Sequence, residues 1–168
     1  MILDEIAAKT IRRVEELKKR IPPGELRKRA ESLPADTGFP FEKSLSAKGM
    51  SFICEVKKAS PSKGVIARDF PYLEIAREYE AAGASAISCL TEPYYFQGSD
   101  GFLREIATDV KIPVLRKDFT VDEYMIYEAK ILGASAGLLI CAVLTDAQLA
   151  KFVETAHSLG LSALVETH

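Results

Sequence analysis

The sequence predicts an α/β protein whose strands form one parallel sheet covered by helices. Five runs, at residues 52–56, 86–90, 113–115, 137–141 and 163–165, are apolar and β-rich along their length rather than alternating, the pattern of strands buried on both faces. Helix-like segments lie between them, at residues 71–82, 101–108, 121–132 and 145–159. The repeat is also regular: the last four runs, centred on Cys89, Leu115, Leu139 and Val165, are spaced by 26, 24 and 26 residues, the length of a strand–helix unit.

The chain opens with an amphipathic helix, because Leu3, Ile6, Thr10, Val14, Leu17 and Ile21 recur in steps of three and four. Pro22-Pro23-Gly24 stops it. A second short helix is expected over 25–32, then a linker over 34–40 that Phe39 and Phe41 anchor to the main body. Gly83, Gly133 and Gly160 each follow a helical segment, where a left-handed cap favours glycine. These divisions predict a helical extension and linker over 1–48 and a strand–helix region over 49–168.

Composition narrows the class. With 48% hydrophobic and 27% charged residues, the 168-residue chain has the balance of a soluble globular domain. No apolar run approaches the ~18 residues that a membrane span needs, and the charged start is unlike a signal peptide, so the expected location is cytoplasmic, with no membrane partner. A net charge of −2 gives no general attraction to nucleic acid. The basic residues between Lys9 and Arg29 alternate with glutamates and read as a solvated helix face. Cys54, Cys89 and Cys141 fall in apolar runs and read as reduced core thiols. His157 and His168 lack companions at metal-ligand spacing, so no metal is expected.

Two architectures satisfy a repeating strand–helix unit: an open doubly wound sheet and a (β/α)8 barrel. Neither Gly-x-Gly-x-x-Gly nor Gly-x-x-x-x-Gly-Lys-Ser/Thr occurs, which removes the common nucleotide signatures of open sheets. Polar groups instead collect at the carboxyl ends of the strands: Glu55 and Lys57, Thr91 and Glu92, Lys117 and Asp118, and Glu166. In a barrel those ends meet at one mouth, where catalytic groups gather. The fold class expected is therefore the TIM barrel. A whole barrel takes roughly 250 residues, so five strands and an amino-terminal helical extension read as a truncated, partial one.

Glu55 and Lys57 are two residues apart on a strand and so share a face. They run into Lys58-Ala-Ser-Pro-Ser-Lys-Gly64, a loop of small hydrogen-bonding residues suited to an anionic group. An ordinary surface ion pair at a strand end would look the same. Lys117 extends the inward face of Pro113 and Leu115, a costly place for a lysine unless it is paired or used. Glu166 shares a face with Leu164 and points to the same mouth, within reach of an ammonium. A carboxylate near an ammonium favours its charged form, which makes Lys117 a candidate general acid.

These segments resemble indole-3-glycerol phosphate synthase. Glu55-Val-Lys57-Lys-Ala-Ser-Pro-Ser-Lys-Gly64, Leu90-Thr-Glu-Pro-Tyr-Tyr-Phe-Gln-Gly-Ser99, Arg116-Lys-Asp-Phe119, Leu138-Leu-Ile140 and Leu164-Val-Glu166 follow the family's order and spacing. The resemblance implies a carbon–carbon lyase of tryptophan biosynthesis. Its reaction closes the ring of 1-(o-carboxyphenylamino)-1-deoxyribulose 5-phosphate with loss of carbon dioxide and water. It implies that Lys117 is the general acid and that Lys57 contacts the substrate carboxylate and phosphate. Glu55 and Glu166 would be the active-site glutamates, Ser60 would help hold phosphate, and Phe96 and Phe119 would flank the anthranilate ring. No cofactor is implied; the partner is a phosphorylated small molecule. The asparagine, serine and glycine-rich phosphate loops of the family's later strands are not in this sequence, so the chain alone is expected to be inactive, and its unpaired sheet edges to favour self-association. Two other readings compete: a Schiff-base barrel aldolase with Lys117 as nucleophile, and a non-catalytic fragment acting as an assembly module.

Overall fold

In the computed structural model, which describes residues 2–167, three helices precede the sheet: α1 (Ile2–Arg20), α2 (Pro23–Glu31) and α3 (Pro40–Leu45). His168 lies outside the described residues. Strands β1 (Ile53–Val56), β4 (Ala86–Leu90), β5 (Val114–Lys117), β6 (Ala136–Ile140) and β7 (Ser162–Glu166) form one sheet in the order β1-β4-β5-β6-β7. Every neighbouring pair is parallel. A small antiparallel hairpin, β2 (Ala59–Ser60) and β3 (Gly64–Val65), follows β1. The crossovers are α4 (Tyr72–Ala81), α5 (Asp100–Asp109), α6 (Tyr124–Leu132) and α7 (Asp146–Ser158). Sequential strands lying side by side and joined by helices make a partial (β/α) barrel.

Strand alternation divides the core into two layers. Val56, Ile87, Cys89, Val114 and Leu139 point outward and pack with Leu103, Ile106, Met125 and Phe152 of the helices. Ala86, Leu115, Ala136, Leu138 and Ile140 point the other way, and Phe41 of α3 packs among them. The hydrophobic runs are continuous because both faces of each strand are covered, one by helices and the other by neighbouring side chains. Burial in the outer layer also pushes the Cys89 thiol up to about 12, the state of an inert core thiol.

Several details depart from the sequence reading. The short strands run from 114 to 117, 136 to 140 and 162 to 166, so Cys141 lies just past β6, half-buried, with its amide donating to the Glu166 carbonyl at 3.0 Å. The expected loop after β1 contains the β2–β3 hairpin. The linker gives way to α3 at Pro40, whose fixed φ suits a helix start. Helix α6 begins at Tyr124 rather than 121, because Asp122 accepts the Tyr124 amide through its own carboxylate at 2.8 Å. The basic face of α1 is not wholly solvated: Arg13 reaches Asp118 at 2.8 Å and Lys18 reaches Asp122 at 2.7 Å.

The linker is also fastened to the body. Lys130, mostly buried and with its pKa lowered by desolvation, donates to the Pro34 carbonyl at 2.7 Å, and the Thr37 hydroxyl donates to the Gly160 carbonyl at 2.7 Å. Gly160 has φ +74°, and a Cβ there would meet the Ala35 carbonyl oxygen at 2.2 Å. That position needs glycine both for its backbone angle and for the close approach of the linker. Among the described residues no helix is long and apolar enough to cross a membrane.

Candidate active site

The inward positions at the carboxyl ends of the strands bring the predicted charges together. Glu55 on β1 accepts from two ammonium groups: Lys57 lies 2.9 Å from one carboxylate oxygen and Lys117 of β5 lies 3.3 Å from the other. Burial alone would raise the Glu55 pKa, but the Lys57 hydrogen bond and the positive charges of Lys117 and Lys57 outweigh it and hold the carboxyl below its usual range. The sequence reading gave Lys117 the Glu166 carboxylate as its neighbour. In the structure its ion-pair partner is Glu55, and Glu166 lines the same cavity as Lys117.

That cavity holds about 230 Å³ and is walled by Leu90, Phe96, Lys117, Phe119, Leu138 and Glu166, with Leu3 of α1 reaching it from the extension. The Phe96 and Phe119 rings stand 6.2 Å apart between centroids, tilted by 37°. An apolar slot with a lysine and a glutamate at its edge can take a flat aromatic group and present charge to its substituents. Ser60 is not on the cavity wall. It is buried in the hairpin, where its hydroxyl oxygen accepts the Lys63 amide at 3.3 Å.

Three buried charges support this surface, and the sequence reading assigned none of them a task. Glu92 is fully buried, and its carboxylate accepts the backbone amides of Tyr94, Tyr95 and Phe96 at 2.9, 2.7 and 3.0 Å. The loop it organises carries Phe96, and the Phe96 carbonyl in turn accepts the Ala59 amide at 3.2 Å, joining this loop to the hairpin that holds Ser60. Gly98 closes the same loop: a Cβ there would lie 2.4 Å from the Leu90 carbonyl oxygen.

Arg116 and Asp118 flank Lys117; Arg116 points outward to the helices, while Asp118 also borders the cavity. Arg116, 4% exposed, pairs with Asp100 at 2.8 Å and Glu128 at 2.6 Å and donates to Thr91 and the Met125 carbonyl. Burial opposes its charge, but the three carboxylates of Asp100, Glu128 and Asp118 more than offset this and raise its pKa. Asp118 accepts from Arg13 at 2.8 Å, from the Thr91 hydroxyl at 2.7 Å, and from the Phe119 amide at 2.8 Å. A charge at the outward parity of a short buried strand was the available signal for Arg116. Its partners come from other elements and leave no mark near it in the sequence.

Helix α1 is bound across the loops that form the mouth. Besides the Arg13–Asp118 pair, the Tyr95 hydroxyl hydrogen-bonds Glu5 and the Lys9 ammonium lies 4.6 Å from the Tyr95 ring centroid.

Comparison with known proteins agrees with this geometry. The family model for indole-3-glycerol phosphate synthase matches residues 3–168. The chain is 54% identical over 168 residues to the indole-3-glycerol phosphate synthase of Ruminiclostridium cellulolyticum, covering all of this chain and 65% of that protein. It is 56% identical over 169 residues to that of Endomicrobium trichonymphae, again covering all of this chain and 65% of the relative. The chain thus spans just under two thirds of the length of these relatives. Among solved structures, a mandelate racemase/muconate lactonizing protein from Paracoccus denitrificans superposes with a TM-score of 0.53 at 15% identity, over 98% of this chain and 43% of that one, a likeness of fold alone. With nearly every residue matched by one family model, on a partial barrel whose mouth gathers two lysines, two glutamates and two aromatic rings, the chain belongs to the indole-3-glycerol phosphate synthase family.

Proposed function

We propose that this chain carries the acid–base part of an indole-3-glycerol phosphate synthase site, which closes the indole ring of 1-(o-carboxyphenylamino)-1-deoxyribulose 5-phosphate. The observation that carries the reading is Glu55 held between Lys57 and Lys117 beside a cavity walled by Phe96 and Phe119. In the first step the ring carbon bearing the carboxylate attacks the ketone carbon. A carbon–carbon bond forms, the carbonyl π bond breaks, and Lys117 delivers a proton to the oxygen. Carbon dioxide then leaves and returns its electron pair to the ring. Loss of the new hydroxyl as water, with a proton from the adjacent methylene, completes the indole. Glu55 and Glu166 are the carboxylates placed to take that proton. Phe96 and Phe119 hold the aromatic ring, and Ser60 contributes to the phosphate end through its loop.

The aldolase reading requires the Lys117 amine to form a covalent imine with a ketose, whereas in the structure its nitrogen is held by Glu55 at 3.3 Å. Borohydride reduction in the presence of a ketose phosphate is expected to leave Lys117 unmodified.

The direct test is a chimera in which residues 1–168 are continued by the remaining third of the Ruminiclostridium cellulolyticum relative. It is expected to form indole-3-glycerol phosphate, whereas the 168-residue chain alone is not. A chimera that folds but shows no turnover contradicts the proposed function. The chain alone is also expected to associate. Among the described residues the outer edges of β1 and β7 pair with no other strand, and Phe52, Ile53 and Val165 are exposed along them. Open parallel edges with apolar side chains invite pairing with another copy. Light scattering at micromolar concentration is expected to show species heavier than 18.4 kDa; a stable monomer contradicts this.

Lys57 is proposed to bind the anionic ends of the substrate. In the chimera, Lys57→Ala should raise KM and lower kcat together, and Lys57→Arg should restore little, because a planar fork replaces a compact charge. Steady-state kinetics with an unchanged KM in the alanine variant would remove this role.

A further inference from the structure

Ser88 is a buried polar group that neither the fold nor the mechanism above uses. It is 4% exposed, and among the described residues its hydroxyl has no hydrogen-bond partner. Buried hydroxyls are rarely left so, because each one unpaired gives up its bonds to water. Parity along β4 sets Ser88 on the same face as Ala86, inside the barrel, and the sheet register pairs it directly with Glu55 on the neighbouring strand. The unpartnered hydroxyl and the site carboxylate therefore project side by side from adjacent strands.

In the structure Glu55 spends both carboxylate oxygens on lysines, Lys57 at 2.9 Å and Lys117 at 3.3 Å. These two cations face the carboxylate. On the far side of β1 the Tyr79 hydroxyl of α4 takes the Glu55 backbone carbonyl at 3.2 Å, and across the mouth Glu166 lines the cavity that Lys117 enters. Under the proposed function both lysines turn to the substrate, and Glu55 then loses its partners while still half-buried. A neighbouring donor with no other commitment is the group able to replace them.

We propose that Ser88 is a positioning residue whose hydroxyl takes over the Glu55 carboxylate when Lys117 engages the substrate. The bond is absent in the resting arrangement and forms only as the lysine departs, so it keeps Glu55 charged and oriented during the proton transfers. This inference rests on the site reading above, but its test does not depend on turnover.

The experiment is a double-mutant cycle in the chimera, with the Glu55 carboxyl titrated by carbon-13 NMR. Lys117→Met imitates the departed lysine. Ser88→Ala is expected to leave the Glu55 pKa unchanged in the parent and to raise it by about one pH unit in the Lys117→Met background, where Lys57 still holds one carboxylate oxygen and the hydroxyl is the donor left to serve the oxygen that Lys117 gave up. The same titration shift in both backgrounds, or none in the Lys117→Met background, overturns the proposal. A second arm separates positioning from packing. Removing an unpaired buried hydroxyl should leave Tm unchanged or raise it, while kcat falls about fivefold or more with KM nearly constant. A kcat within about twofold of the parent, or a kcat loss accompanied by a lower Tm, overturns the proposal. A parent chimera without turnover would count against the proposed function, and the titration arm would still decide the role of Ser88.

Discussion

Replacing Lys117 with alanine is expected to lower kcat of the chimera by about a hundredfold to ten-thousandfold while KM changes little. The reason lies in timing. The ketone oxygen carries little charge in the bound substrate and gains it as the carbon–carbon bond forms, so a proton donor at that atom acts mainly on the transition state. Lys117 is suited to this because it ends an inward-facing row of β5, with Leu115 below it, and is held by Glu55 at 3.3 Å. Removing the ammonium also frees one oxygen of Glu55, so the alanine variant should lose part of what depresses the Glu55 pKa. Steady-state kinetics settle the point: a variant that keeps more than a tenth of the parent kcat is incompatible with Lys117 as general acid.

The second large effect is on stability. Arg116→Met should destabilise the fold by about 3–5 kcal/mol, the cost of breaking the ion pairs of a buried arginine and leaving the mostly buried Glu128 carboxylate without its cation. Glu128 would lose its 2.6 Å partner inside the outer layer, while Asp118 would keep Arg13 and Thr91. Asp100, whose side chain is 40% exposed, would lose its 2.8 Å pair at small cost, since water can replace it. The Met125 carbonyl and the Thr91 hydroxyl also lose a donor. Urea denaturation of parent and variant measures the difference, and a loss below about 1 kcal/mol would show that the network adds little. Because Arg116 and Asp118 hold the backbone on either side of Lys117, the folded fraction of this variant should also lose turnover.

The strand–helix repeat, the parallel sheet and its order were legible in the sequence because they depend on local pattern. Continuous apolar runs such as 86–90 and 137–141 record burial on both faces, and helices of fixed length between them leave few ways to connect the strands. Lys117 and Glu55 were legible for a related reason: a charge continuing the inward row of a strand stands out against an apolar background. The helix caps at Gly83, Gly133 and Gly160 were likewise visible, and all three adopt positive φ.

What the sequence could not determine was pairing. Glu55 and Lys117 are 62 positions apart, and Arg13 and Asp118 are 105 apart. Which carboxylate meets which cation depends on strand register and on how α1 lies across the loops, and neither leaves a periodic trace. The same holds for Ser88, a serine in an apolar strand until the register sets it beside Glu55. Local sequence determined the elements and the inward or outward face of each residue, because those follow from the 2.0 and 3.6 residue periods of the backbone. The tertiary structure alone decided the partners, because contact energies between distant residues depend on distances that only the closed packing of strands, helices and extension sets.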